Sequence, residues 1–244
     1  MMLNIRLDVA RADYRSCAEM LLPQLVEHCA AKSAPNELDR VLGGLGAEAV
    51  PAACALLDEL SVDEKDQMVV WLVSAHEERM RSSANRHLSE LFGAPIVRIG
   101  RFAAVDRPGT RLALLAERVD IDYAALLRSP LVGDGIERLG GENSVLKGAA
   151  KLAVQMSAHL SGDNLEKQGL LLLNSAKVKQ RLMAVLQDAV RQAGLNVELE
   201  GMSVERSEAE ALPSVGTEAI PGAFAEKLLR ALSQKAAELR GSAR

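Results

Sequence analysis

Leu195-Asn196-Val197-Glu198-Leu199-Glu200-Gly201-Met202-Ser203-Val204-Glu205 is the stretch whose reading decides the fold. Val197 and Leu199 alternate with Asn196, Glu198 and Glu200, the period-two pattern of a half-buried strand. Gly201 marks a bulge before Met202 and Val204 resume the alternation. Directly upstream, Val178, Leu182, Val185, Leu186, Ala189 and Ala193 trace one helical face, capped at Asn174 or Ser175 and stopped at Gly194. At the other end of the chain, Leu3, Ile5, Leu7 and Val9 alternate with Asn4, Arg6 and Asp8. A late strand joined tightly to a helix, with a second strand at the N-terminus, implies that both regions meet in one sheet. The expected class is α+β, mainly α: a helical body with a small, largely antiparallel sheet of about four strands.

Helical signals fill most of the space between these strands. One helix is expected over residues 12–32, kinked or divided by Pro23, and a short one follows a cap at Asn36. Pro51 opens another, to about Leu60. Ser61-Val62-Asp63-Glu64 is a capping box, and nothing before Gly93 and Pro95 forbids a helix from Val62 to Phe92. Its middle, residues 76–87, is polar on almost every face, so either a solvent-bridging helix or a break near Ser82-Ser83 fits; the continuous helix is preferred. Ile96 to Phe102 is β-rich, Asp106-Arg107-Pro108-Gly109 is a turn signal, and residues 110–121 can return as a second strand. If that hairpin were helical, the class would become all-α. Asp122 caps a short helix to Arg128, and Val145, Ala149, Leu152, Ala153, Met156 and Leu160 trace a further helical face.

The end of the chain reads differently. Pro213, Gly216, Pro221 and Gly222 interrupt any period in residues 205–222, and then Phe224, Leu228, Ala231, Leu232, Ala236 and Leu239 recur at helical spacing. The organisation expected is a body over residues 1–206, with 94 as the point where it would divide into two subdomains. A linker over 207–222 and an amphipathic helix over 223–244 complete it. An apolar stripe after a linker must bury itself on its own body, on a copy of itself or on a partner.

Composition excludes several function classes. The chain has 48% hydrophobic and 25% charged residues, which argues against wholesale disorder, and a net charge of −4 supplies no field towards nucleic acid or anionic membrane. Six aromatic residues leave few platforms for stacking bases, which also counts against nucleic acid. Cys17, Cys29 and Cys54 lack metal-type spacing and sit among Ala and Leu, as small buried hydrophobes do. The longest apolar run, residues 41–57, is broken by Glu48 and Pro51 and falls short of a membrane span. With no signal peptide legible ahead of the first strand, a cytoplasmic home is expected.

No catalytic or metal signature emerges, and no cofactor is implied. His76 and His87 lie eleven residues apart, Met80 stands where a second metalloprotease histidine would be, and a third ligand would have to come from elsewhere, such as Glu90. Gly133-Asp134-Gly135, Gly140-Gly141 and Lys147 match neither phosphate-loop nor dinucleotide spacing. Arginine clusters more tellingly. Seven arginines lie between residues 79 and 111 against two acids, whereas the first seventy residues hold twelve acids and six bases. The preferred reading pairs this basic zone with the acidic N-terminal third, within the fold or across a dimer. Two functions follow. The leading one is a non-catalytic binding or assembly protein whose interaction helix presents Phe224, Leu228, Ala231, Leu232 and Leu239 to a protein partner or to a second copy in a homo-oligomer. The alternative is an enzyme or regulator that binds a phosphate-bearing ligand through Arg79, Arg86, Arg98 and Arg101.

Overall fold

The computed structural model describes residues 3–105, 111–129 and 163–206, and in the C-terminal segment 227, 229–234, 237–238 and 241. The fold is α+β, mainly helical, with one antiparallel sheet of five strands. Strand β1 (Leu3–Ala12) leads into α1 (Tyr14–Ala31), α2 (Glu37–Leu45), a 3-10 turn (Gly46–Glu48) and α3 (Ala49–Leu57). Next come α4 (Val62–Ala75), α5 (Glu77–Phe92), β2 (Val97–Arg98), β3 (Arg101–Val105), β4 (Ala113–Ile121) and α6 (Tyr123–Arg128). After the gap follow α7 (Asp163–Leu173), α8 (Ala176–Gln192) and β5 (Val197–Arg206).

β1 is the inner strand, flanked by β4 and β5, and β2 and β3 pair in turn along the far side of β4. The hairpin is real: Val105 stands opposite Ala113 and Arg101 opposite Glu117, although its turn lies outside the described residues. The count rises from four strands to five because the β-rich run breaks at Ile99 and Gly100 into β2 and β3, both paired to β4. The bulge expected at Gly201 is present. Asp8 pairs with Gly201 but Val9 with Leu199, so Glu200 is the extra residue. A second bulge, on β4, puts Arg118 at φ 52, with its N–H donated to Asn4 Oδ1.

Alternation on β1 sorts the two faces of the sheet. Leu3, Ile5, Leu7 and Val9 are buried in the main core, whereas Asn4, Arg6 and Asp8 are only half-buried. The core cluster runs from Leu3 through Leu21, Leu72, Leu88 and Phe92 to Ile96, Leu114, Leu186 and Val197, on both sides of residue 94. α4 and α5 pack on β3 and α8 on β5, while α1 gathers α2, α3 and α4 around itself. The apolar stretch Glu37–Leu57 is long enough by composition to cross a membrane, but it bends through α2, the 3-10 turn and α3 and sets Leu42, Ala49, Ala52 and Leu56 into this core.

Both margins of the sheet are closed by side chains rather than strands. Asn85 of α5 donates Nδ2–H to Ile99 O (3.0 Å) and accepts the Ile99 N–H (2.7 Å), and Glu77 Oε1 accepts the Phe102 N–H (2.9 Å). On β5, Gln187 of α8 donates Nε2–H to Val197 O (2.5 Å) and accepts the Leu199 N–H (2.8 Å). An amide side chain matches a peptide group donor for acceptor, so it can stand in for one rung of a ladder.

Two expectations fail for identifiable reasons. The helix drawn from Val62 to Phe92 is two helices, broken at His76 rather than near Ser82-Ser83. The break falls at the buried His76, whose N–H is shared between Leu72 O and Val73 O. α7 was not legible: Gly169 and the run Leu170 to Leu173 hide any period. The glycine is there for contact, since a Cβ on it would lie 2.0 Å from Tyr123 Cδ1 of α6. The helical face at Val145 to Leu160, the glycines at 133–141, Lys147 and the linker at 207–222 lie outside the described residues.

One polar cluster ties α1 to α2. Asn36 and Asp39 form a capping box, and both oxygens of the buried Asp39 accept from Lys32 Nζ (2.9 and 3.0 Å), with Cys29 Sγ at 3.2 Å. Burial alone would push Asp39 up, but the hydrogen bonds from Lys32, Cys29 and the Asn36 N–H outweigh it and hold the carboxyl below its usual range. A depressed carboxyl contributes stability above the unfolded-state value of about 3.9 that is lost as the pH falls through the folded value. Lys32→Met should therefore cost about 1.5–3 kcal/mol at neutral pH, and its gap to wild type should narrow below about pH 4, as measured by urea melts across pH. Gly169→Ala should lower stability by about 1–3 kcal/mol although alanine is the better helix former by about 1 kcal/mol, and Tyr123→Ala in the same chain should relieve most of that cost.

Candidate functional site

Two helix irregularities face each other across the helical layer. α1 carries Pro23, which has no N–H to give the turn before it, and the residues just beyond are Gln24, Leu25 and His28. Opposite lies the junction of α4 and α5, where His76 leaves helical geometry at φ −114° and ψ 19°. Its N–H is shared between Leu72 O (3.2 Å) and Val73 O (3.1 Å), and its own carbonyl accepts the Met80 N–H (3.1 Å). Between α1 and this junction is a cleft of about 460 Å³ lined by Gln24, Leu25, His28, Ala75, His76, Glu78, Arg79 and Ser82.

His76 forms the floor of this cleft and is buried. Nδ1 lies 2.8 Å from Leu72 O; a carbonyl can only accept, so this contact places a proton on Nδ1. Burial pushes the imidazole below its ordinary value and the nearby Arg79 and His28 charges add to this, against the opposing pull of the Leu72 and Leu21 carbonyls. The ring is therefore neutral at neutral pH. Arg79 lies one turn beyond and donates to Gln24 Oε1 of α1, a neutral acceptor.

The four arginines expected to line one anion site are dispersed. Arg79 is at the cleft, and Arg86, two turns on along α5, donates to Gln192 Oε1 of α8 at 2.9 Å. Arg101 is on β3 and pairs with Glu117 Oε2 at 3.4 Å, while Arg98 is exposed on β2, opposite Asp120 in register. Internal pairing of the basic zone does occur, and among the described residues the acids it meets lie beyond the first seventy residues: Arg81 meets Glu77, Arg101 meets Glu117 and Arg111 meets Glu200. Sequence reasoning missed Gln24, His28 and Ser82 as neighbours of Arg79. The only signal available was the i,i+4 spacing of Gln24 and His28 beside Pro23.

Of the expected interaction helix, Phe224, Leu228 and Leu239 lie outside the described residues. Leu232 is 1% exposed and belongs to the core cluster, with Leu229 and Ala231 packed against it from partly buried positions. Arg230, Ser233 and Gln234 around it are exposed, and Lys227 pairs with Glu64 in the first turn of α4. The stripe is thus seated on the chain's own body at Leu232.

The remaining chemistry-bearing groups are structural. Cys17, Cys29 and Cys54 are buried and unbonded, and burial pushes all three thiols up, Cys17 to about 11 and Cys29 to about 12, so none is a thiolate. His87 Nδ1–H donates to Ser83 O at 2.8 Å, and Asp122 caps α6 through the Ala125 N–H. Among the described residues no group of three His, Cys, Asp or Glu side chains could hold a metal ion.

A buried histidine with a lowered pKa contributes stability that is full above the unfolded value of about 6.5 and is lost as the pH falls towards the ring's own lower value, because the unfolded chain then binds the extra proton. Thermal melts should accordingly show the midpoint falling from pH 7 to pH 5, and His76→Gln should remove part of that fall. An unchanged slope in the variant would contradict the neutral ring.

Comparison of the chain with family models, with curated proteins and with solved structures gives no match, so its function is argued from the geometry alone.

Proposed function

We propose that the protein is a non-catalytic binding or assembly protein whose C-terminal helix is its interaction element, held on its own body until a partner or a second copy takes it. The observation that carries this reading is the burial of Leu232 in a core otherwise built by the 3–206 body, from a helix whose flanking Arg230, Ser233 and Gln234 stay exposed. A helix seated through Leu232, with Leu229 and Ala231 beside it, after a stretch punctuated by Pro213, Gly216, Pro221 and Gly222, is a ligand that the chain supplies to itself. Burying one leucine contributes about 1.5–3 kcal/mol, and the exposed Lys227–Glu64 pair adds at most about 1 kcal/mol. Contacts of this modest kind suit a helix that exchanges between its own body and a partner.

The tether sets which exchange wins. A connection of this length sets an effective concentration on the order of millimolar for the helix, so a second identical copy at micromolar concentration competes poorly for the seat. A partner that offers the stripe a larger apolar groove competes well. A cytoplasmic setting agrees with three buried, unbonded thiols in one chain.

The test uses a labelled peptide of residues 223–244, the chain ending at Arg206 and the full chain. The truncated chain should stay folded and bind the peptide, the full chain should bind it at least about a hundredfold more weakly, and a peptide with Leu232→Asp should bind neither. Light scattering on both chains reports whether copies exchange helices as well. A truncated chain that unfolds, or that ignores the peptide, would make the helix an ordinary part of the core and end this reading.

A further inference from the structure

We propose that the cleft between α1 and the start of α5 binds a small molecule through an oxyanion head, a phosphate or carboxylate, clasped by Arg79, Gln24, His28 and Ser82. The first support is a charge without a counterpart. Arg81, Arg101 and Arg111 each face a carboxylate, whereas among the described residues the Arg79 guanidinium, like that of Arg86, meets only a neutral glutamine amide, here that of Gln24. That hydrogen bond fixes the fork without neutralising it, and leaves its other N–H groups for a ligand. The second support is place: this uncompensated guanidinium lines a cleft of about 460 Å³, within the range of about 300–1,000 Å³ typical of small-molecule sites.

The remaining lining fits the same head. Gln24 and His28 lie one turn apart on α1, and Arg79 and Ser82 one turn apart on α5, so two pairs of polar groups face each other across the opening. Gln24, once its oxygen is used by Arg79, offers its amide N–H groups, and Ser82 offers a hydroxyl. Guanidinium hydrogen bonds to phosphate or carboxylate are charge-assisted and about twice as strong as neutral ones. A bare anion would leave most of the volume empty, and Leu25 and Ala75 supply an apolar wall for the rest of the molecule. Glu78 lines the same cleft and repels a second negative group, which selects a single charged head over a polyanion.

The probes are phenyl phosphate and benzoate, titrated into the full chain at constant ionic strength set with sodium chloride, with binding read by ligand NMR line broadening and by thermal shift. Saturable binding of at least one probe is expected, with Arg79→Gln weakening it tenfold or more and Ser82→Leu, which fills the cleft, doing the same. Arg86→Gln, clasped by Gln192 outside the cleft, should leave it unchanged. A preference for phenyl phosphate identifies a phosphate head, and a preference for benzoate a carboxylate head. No saturable binding of either probe, or equal binding by the Arg79 and Ser82 variants, overturns the proposal.

Discussion

The inner strand, β1, needs a partner on each side, and the chain supplies neither nearby. β4 arrives only after five helices, and β5 only at the end of the body. Until both are in place, the main-chain groups of residues 3–12 lack part of their ladder, and the row Leu3, Ile5, Leu7 and Val9 lacks the layer it buries against. Everything else is arranged around satisfying this strand. α1 leaves it directly and gathers the helical layer, α8 turns through Gly194 to deliver β5, and the Gly194 backbone at φ 104° presses against Leu21 of α1. Such long-range pairing must be closed against chain entropy before it is rewarded, which makes a single cooperative core the natural outcome.

The functional features sit where regular structure is interrupted. The cleft lies between α1, just beyond Pro23, and the junction of α4 and α5 at His76, so it opens between helices without any loop being needed. Regular helices packed ridge into groove would have closed that space. The seat of the C-terminal helix lies elsewhere, by the first turn of α4, where the Ser61–Glu64 capping box also positions Glu64 for Lys227. Lys227 and Ser61 both hold the Glu64 carboxyl below its usual range.

Much of the fold was legible because its signals are local. The alternation in β1 and β5, the bulge beside Gly201, the caps at Asn36, Ser61 and Asp122, and the stop at Gly93 all follow from short windows of sequence. What was not legible depended on distant contacts. The helix break at the buried His76 left no local signal, and α7 was hidden by a glycine whose purpose is the Tyr123 ring. The arginine zone was visible as composition, but no sequence rule says that Arg101 meets Glu117, or that Arg79 meets a glutamine fifty-five residues away. Charge partners are chosen by the sheet register and helix packing, which come after the pattern.

The amide side chains at the sheet margins bear on how the chain emerges from the ribosome. Asn85 precedes Ile99 by fourteen residues and Gln187 precedes Val197 by ten, so each marginal strand is synthesised just after the helix that will close it. A nascent edge of this kind meets its own cap within a few seconds of synthesis, at about 5–20 residues per second, before a neighbouring chain can add a strand to it. Part of each sheet margin is thereby met by a side chain made just before it.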